Sequence, residues 1–440
     1  MERRVVVTGL GVASSLGNVL ETFWQECLEP TVQAAALPAL WHAFFTPRSA
    51  YWMPYERVPG IDDLNFRLFD RNLYDQATVN FLYTATQAVE NAGLALLEGA
   101  HSAKSKHIAG YPAGRVGVFV GTSVGGISTF IDSYLNHLLK RLGSTLELPG
   151  GEIQLPHGKR FNPFACARFM PNSPASSVGI LLGAQGKARS FNYACASSTI
   201  AVGEAFNSVS RGEVDCAIAG GTEYLMDPYG AIFRSFDIAG ILTRSTDGPQ
   251  ACNRPFDQHR SGLLYAQGAS ASLILEEREQ ALARGAPIYA EIKSYAENFE
   301  AHSLMSVDPS GEAIERLLHD LLGKVGYQPG DVDYINAHGT GTLTSDQVES
   351  EVIARMFGSR VAVNSSKSLL GHTFGASGAL EAVISCLSIK HQILHPSLNA
   401  ASPIADLNLV QQPLRQKVDT VISQNFGFGG HNAALLFARP

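Results

Sequence analysis

No two cysteines of this chain form a CxxC pair. The six present, Cys27, Cys166, Cys195, Cys216, Cys252 and Cys386, are scattered without metal-like spacing. That excludes a disulfide framework and gives no reason to expect a metal, and unpaired thiols point to a reducing cytoplasm. Long apolar runs are also missing, so no membrane-spanning helix is expected. The opening MERRVVVTGLGVASSLG imitates a secretion signal, yet its apolar run is short and interrupted by Gly9 and Gly11, and it reads as a first core strand. Charge is sparse: 17% of residues, 33 basic against 40 acidic for a net −7, with no block of one sign, which disfavours nucleic acid as a partner.

What is abundant is apolar surface and glycine. With 45% hydrophobic residues and 42 glycines in 440 positions, the composition fits a compact α/β protein with close backbone contacts. The length calls for two domains or two similar halves. VVVTGLGV reads as a strand entering a glycine turn, TFWQECLEP as a helix stopped at Pro30, and YDQATVNFLYTATQAVENAGLALL as a helix ending at Gly93. From about 31 to 63 an aromatic, proline-containing stretch without periodicity predicts a surface excursion whose aromatics make a buried contact, with another subunit as one partner. The polar stretch around 140–165, with Lys140, Arg141, Lys159 and Arg160, reads as a solvated loop, with docking of an acidic partner as the alternative. Strand and helix patterns then alternate: VDCAIAGGTE, ASASLILEE, GEAIERLLHDLLGKVG, VDYINAHGTGT and SDQVESEVIARMFG, a layered α/β grammar.

Three patterns compete for the chemistry. TGLGVAS matches only part of a dinucleotide fingerprint, with Ser14 at the last position and no acidic residue placed for a ribose. GTSVG, residues 121–125, is a literal nucleophile elbow between a strand and a helix, with Ser123 as nucleophile and His338 or His372 as partner. Cys195, in FNYACASSTIAVGEAF, stands where a strand feeds a helix, and helix-terminal N–H groups favour a thiolate there. The bland alternative is a small buried residue, which suits Cys27, Cys216 and Cys386. Two further motifs favour Cys195: NAHGTGT places His338 at a strand end, and NSSKSLLGHTFGASGALEA brings Lys367 and His372 into a glycine-lined loop. NFGFGG follows near the end of the chain.

The cysteine, HGTGT, K…GH and GFGG motifs, in this order and over nearly the whole chain, resemble the β-ketoacyl-acyl carrier protein synthases. These are the elongating, ketosynthase II-like enzymes of fatty acid and polyketide assembly, in the thiolase superfamily. The resemblance implies a thiolase-like α/β fold: two related halves, 1–275 with the nucleophile and 276–440 with both histidines, with mixed sheets in a five-layer α-β-α-β-α arrangement. It implies decarboxylative Claisen condensation of an acyl chain on Cys195 with a malonyl thioester. By the same resemblance His338 and His372 donate N–H bonds to the enolate oxygen, Lys367 supports them, and Glu381 organises the site. Cys195 and Phe428 supply the backbone N–H groups of an oxyanion hole, with Phe428 also a gate. Val124, Phe236, Thr340, Thr342, Phe428 and Gly429 take up substrate, Thr340 and Thr342 along the pantetheine tunnel. No cofactor is expected, because substrates arrive on the phosphopantetheine arm of an acyl carrier protein. The active unit is expected to be a homodimer, or a heterodimer with a ketosynthase-like subunit.

The chain departs from the family pattern at Ser261, where an acid is usual, at Ala266–Gln267–Gly268–Ala269 in place of a GEGA-like turn, and near Gly240, where a carrier-contacting arginine is replaced, although Arg234 and Arg244 flank it. These changes tilt the expectation toward a specialised polyketide or polyene-type pathway. A non-catalytic chain-length-factor-like subunit and a serine hydrolase using Ser123 are the alternatives from other classes.

Overall fold

The computed structural model describes residues 3–55, 58, 73–98, 106–142, 145–148, 151–154 and 161–440. Ten strands fall into two sets of five with one topology. In the first set are β1 (Val5–Ala13), β2 (Val116–Gly121), β3 (Ala188–Phe191), β4 (Cys216–Tyr224) and β5 (Gly268–Glu277). They lie side by side in the order β1-β5-β4-β2-β3. The second set is β6 (Ala290–Phe299), β7 (Tyr334–Asn336), β8 (Ala362–Asn364), β10 (Thr420–Gly427) and β11 (His431–Ala438). Its order, β6-β11-β10-β7-β8, repeats the first, and a short β9 (Asn408–Leu409) is added at the edge. Directions repeat too: in each set the first two neighbouring pairs are antiparallel and the last two parallel. Antiparallel pairing of Val5–Val7 with Ala290–Ile292 joins the sets, so all eleven strands form one hydrogen-bonded array. The first set ends with β5 at Glu277, two residues past the expected division at 275.

Helices supply the other layers. α1 (Gln76–Asn91), capped by the Asp75 carboxylate, covers the outer face of the first sheet. α2 (Ile127–Leu142) follows β2, and α3 (Ser197–Ser210) follows β3. A short α4 (Ala231–Ile238) leads toward the site. α5 (Glu312–Gly323) packs on β6 and β11, and α6 (Leu343–Phe357) packs against α5 on the outer side of the second sheet. α7 (Ser377–His391) packs against α3, and both touch strands of both sets. From Ser377 to Ile389 every residue of α7 is buried, as a helix apolar on all sides requires. These layers make up the expected five-layer arrangement.

Three sequence expectations are corrected here. β1 runs straight through Gly9 and Gly11 instead of turning there. A Cβ on either would stand 2.0 Å from a carbonyl oxygen of α1, so these glycines allow close helix-on-strand approach and bind no dinucleotide. The aromatic excursion turns inward on its own chain: Trp41 and Trp52 are buried, and Trp41 packs on Phe233 with ring centroids 5.2 Å apart. The departure at Gln267 belongs to this contact, since its Oε1 accepts the Tyr55 N–H at 3.2 Å. Of the four basic residues near 140–165, Lys140 and Arg141 belong to α2, while Lys159 and Arg160 lie outside the described residues.

Candidate active site

Cys195 sits in a single 3₁₀ turn, Ala194–Ala196, between β3 and α3, after Ala194 at φ +48°. A matching turn, Phe374–Ala376, precedes α7, and Phe374 has φ +49°. The two units therefore present equivalent strained turns at the N-termini of their central helices, one carrying the thiol and the other standing just after His372. Across the junction the Cys195 Sγ lies 2.9 Å from His372 Nε2. His338 completes the group, with Sγ and one ring nitrogen of each histidine all within 4.8 Å of one another and all three residues buried.

Hydrogen bonds fix the protons. His372 Nδ1 receives the Phe374 N–H at 3.2 Å and lies 3.1 Å from the Ser377 hydroxyl. A backbone N–H can only donate, so Nδ1 is the acceptor and the ring proton is on Nε2, facing the thiol. His338 is set the opposite way. Glu381 accepts the Lys367 ammonium on one oxygen at 2.5 Å and the Asn425 Nδ2 on the other at 2.7 Å. That leaves Asn425 Oδ1 toward His338 Nδ1 at 3.3 Å, so Nδ1 carries the proton and Nε2 offers a lone pair. Burial, reinforced by the Lys367 ammonium, holds both imidazoles well below their usual pKa, and both are neutral. At rest His372 is a donor and His338 an acceptor.

The thiol is pulled both ways. Burial pushes Cys195 up to about 12, while the Lys367 ammonium and the backbone N–H groups of Phe428 and of Cys195 itself pull it down. Those are the two N–H groups that the family resemblance assigns to an oxyanion hole. Lys367 and Glu381, each 2% exposed, form the ion pair behind the histidines, and burial raises the Glu381 carboxyl in spite of its partner. Two carboxylates of α6, missed in the sequence reading, shape the HGTGT loop. Glu349 accepts the N–H groups of His338 and Gly339 at 2.7 and 2.8 Å, and Asp346 accepts that of Thr340 at 2.9 Å. Their i, i+3 spacing directly after the motif was the available signal, together with burial inside an otherwise mixed helix.

A cavity of about 230 Å³ leads to the thiol, lined by Cys195, His338, His372, Thr340, Thr342 and Phe428 among others. Exposed Met305 and Leu343 stand at its rim, and Ser261 lines it while its hydroxyl takes the Arg244 N–H at 3.0 Å. Val124, Phe236 and Gly429 are not brought to this cavity. Val124 is 41% exposed, and Gly429 donates its N–H to Leu304 at 3.0 Å. Phe236 packs on Phe374 at 4.7 Å, and Phe374 stacks on His372, also at 4.7 Å. Ser123 has no histidine: its hydroxyl donates to Glu223.

Two family models match the chain. Residues 2–281 match the β-ketoacyl synthase N-terminal domain and residues 289–401 the C-terminal domain. The chain belongs to the β-ketoacyl synthase family. This synthase is 32% identical over 443 residues to 3-oxoacyl-[acyl-carrier-protein] synthase 2 of Staphylococcus aureus (strain COL), covering 99% of this chain and 98% of that one. Among solved structures it is similar to a type II polyketide synthase acyl-carrier protein in complex with its ketosynthase bound to the hexaketide, at 27% identity and TM-score 0.83. It is also similar to the ishigamide ketosynthase/chain length factor, at 25% identity and TM-score 0.82, and both matches cover 100% of each chain. No helix among the described residues of the synthase is long and apolar enough to cross a membrane.

Proposed function

We propose that the chain is a decarboxylative 3-oxoacyl-acyl carrier protein synthase working by alternate binding of two carrier-borne substrates at Cys195. The carrying observation is the Cys195 Sγ to His372 Nε2 contact of 2.9 Å at the end of a cavity lined by Thr340 and Thr342. In the first half-reaction the sulfur attacks the carbonyl of an acyl thioester, and the carrier thiol departs with the proton that Cys195 gives up. The oxyanion formed meets the N–H groups of Cys195 and Phe428. In the second, the bond from the malonyl methylene to its carboxylate breaks, carbon dioxide leaves, and the electron pair becomes an enolate. His372 Nε2–H is the ready donor to the enolate oxygen. The enolate carbon then attacks the acyl carbonyl and the Cys195 sulfur is expelled. His338, with its proton committed to Asn425, offers Nε2 as an acceptor beside the same oxygen. It becomes a second donor only when that proton shifts to Nε2.

The partners follow the same reading. An acyl carrier protein delivers both chains on its phosphopantetheine arm, and the solved carrier–ketosynthase complex supports this by similarity. β3 is a sheet-edge strand packed by the helix Ser173–Leu181, whose Ile180 is exposed, which supports assembly with a second ketosynthase-like chain, identical or not. Six unpaired cysteines support a cytoplasmic setting. Ser261, Gln267 and the absence of arginine at Gly240 favour a specialised polyketide or polyene-type pathway over general elongation. The presence of Cys195 argues against a non-catalytic length-determining subunit.

The test is intact mass with peptide mapping after incubation with carrier proteins bearing saturated or polyunsaturated chains, with Cys195→Ala as control. An adduct on Cys195 alone is expected, and the preferred chain assigns the pathway. An adduct that survives Cys195→Ala refutes the assignment.

A further inference from the structure

Glu223, the penultimate residue of β4, is fully buried. Its Oε2 accepts the Ser123 N–H at 2.7 Å, the Ser123 hydroxyl, and the Gly375 N–H at 3.1 Å, while Oε1 accepts the Thr122 hydroxyl at 3.1 Å. Burial raises the Glu223 carboxyl, and the donors converging on its two oxygens work against this and favour the ionised form. These donors come from different units: Thr122 and Ser123 follow β2, and Gly375 lies in the turn after His372. The turns run so close that a Cβ on Gly375 would stand 2.3 Å from the Ser123 nitrogen. Between Gly375 and His372 is Phe374, held at φ +49°, whose N–H sets the His372 tautomer at 3.2 Å. The path from Glu223 to the thiol is therefore continuous: Gly375, Phe374, His372, Cys195.

We propose that Glu223 is a positioning residue of the catalytic centre: its carboxylate ties the Thr122–Ser123 turn to the His372 turn across the two units, and Ser123 supplies the hydroxyl that completes the tie. The proposal rests on the condensation reading above. It gives the GTSVG motif a role: the serine spends its hydroxyl on a carboxylate instead of attacking an ester. Without the tie, the turn through Gly375 loses its hold on the first unit, and the Phe374 N–H shifts away from His372 Nδ1, weakening the donor that keeps the ring proton on Nε2. Glu223 also acts through its charge. The titratable groups acting on Cys195 are Lys367, His338, His372 and Glu223, and those facing Glu223 are Cys195 and Tyr265. The negative charge of Glu223 opposes the thiolate, so charge and tie can be separated by substitution.

Glu223→Gln keeps an oxygen for the three converging donors and removes the charge. Glu223→Ala removes both, and Ser123→Ala removes one strand of the tie. The measurements are kcat and KM for condensation with malonyl carrier protein, and the rate of Cys195 alkylation by iodoacetamide at a fixed mildly alkaline pH. Glu223→Gln is expected to alkylate several-fold faster than wild type. Glu223→Ala is expected to lose about 10- to 100-fold in kcat at little changed KM, as misplacing a catalytic group by an ångström does. Ser123→Ala is expected to lose less, in the same direction. Should Glu223→Ala fail to fold, the other two variants decide. Wild-type alkylation in Glu223→Gln together with wild-type kcat in Ser123→Ala overturns the proposal. If the wild-type chain condenses no carrier-bound pair, the condensation reading fails, while the tie is still decided by alkylation of Ser123→Ala and Glu223→Ala, which loosen it, compared with Glu223→Gln, which keeps it.

Discussion

Replacing Lys367 by Met tests whether the buried ion pair is a functional device or a piece of scaffolding. Lys367 and Glu381 touch at 2.5 Å, and each is 2% exposed, so removing the ammonium leaves a carboxylate with neither solvent nor counter-charge. Breaking one side of such a pair costs about 3–5 kcal/mol. For a chain of 440 residues, whose unfolding entropy is about 0.9 kcal/mol/K, that is a fall of about 3 to 5 °C in melting temperature. Adding Glu381→Gln removes the stranded charge and keeps an acceptor for Asn425 Nδ2. The double variant is expected to regain at least half of the lost stability. It does not regain condensation, because the ammonium is the largest pull on the Cys195 thiol toward the thiolate and reinforces the burial that keeps both histidines neutral. Thermal melts and condensation rates on wild type, single and double variants check this. A single variant as stable as wild type, or a double variant as active as wild type, refutes the reasoning.

Three further outcomes are expected. Nitrogen-15 shifts of the imidazoles at neutral pH report Nε2–H for His372 and Nδ1–H for His338, and the same tautomer on both rings contradicts the hydrogen-bond assignment. His395 is buried with its Nδ1–H on the Pro396 carbonyl at 2.9 Å, and burial lowers it to about 4. A folded pKa below the unfolded one gives stability that is present above about pH 6.5 and is lost as the pH falls toward 4, on the order of 3 kcal/mol for this residue. His395→Gln therefore flattens the acid side of the stability profile, and an unchanged profile refutes this. Trp41→Ala removes a buried ring from the stack that runs through Phe233, Tyr265 and Phe374 to His372. It should cost about 3–5 kcal/mol by denaturant unfolding and slow condensation as well; an active variant with full loss of stability uncouples the excursion from the site.

The elements with a single clear period were readable: α1, α3, α5 and α6 fall where apolar spacing placed them. β6 was not, because Glu291, Lys293 and Glu297 interrupt its apolar residues. Its polar positions are satisfied by partners remote in sequence, such as the Arg4 Nε that donates to Glu291 at 2.8 Å. The inward packing of Trp41 and Trp52 was hidden for a related reason. Its partners, Phe233 and Tyr265, lie some two hundred residues on, and no local pattern marks them. Glu381 was legible because a charge inside the otherwise apolar run GALEAVISCL demands a partner, and Lys367 is that partner. Glu223 carried no comparable mark, since two of its four donors are backbone N–H groups, which every sequence has, and the other two are hydroxyls a hundred residues away.

The repeated topology explains why the site is built as it is. Each unit offers the same strained turn at the foot of a buried central helix, Ala194 before α3 and Phe374 before α7. Where the first unit carries a thiol, the second holds a backbone N–H against an imidazole, so one turn bears the nucleophile and the other fixes the donor that faces it. Neither turn is complete alone: the Cys195 Sγ needs His372 from the second unit, and Gly375 needs Glu223 from the first. Joining the two units in one rigid array is what sets a buried thiol and a neutral imidazole at 2.9 Å, a distance that two independently moving domains would not hold against burial costs of this size.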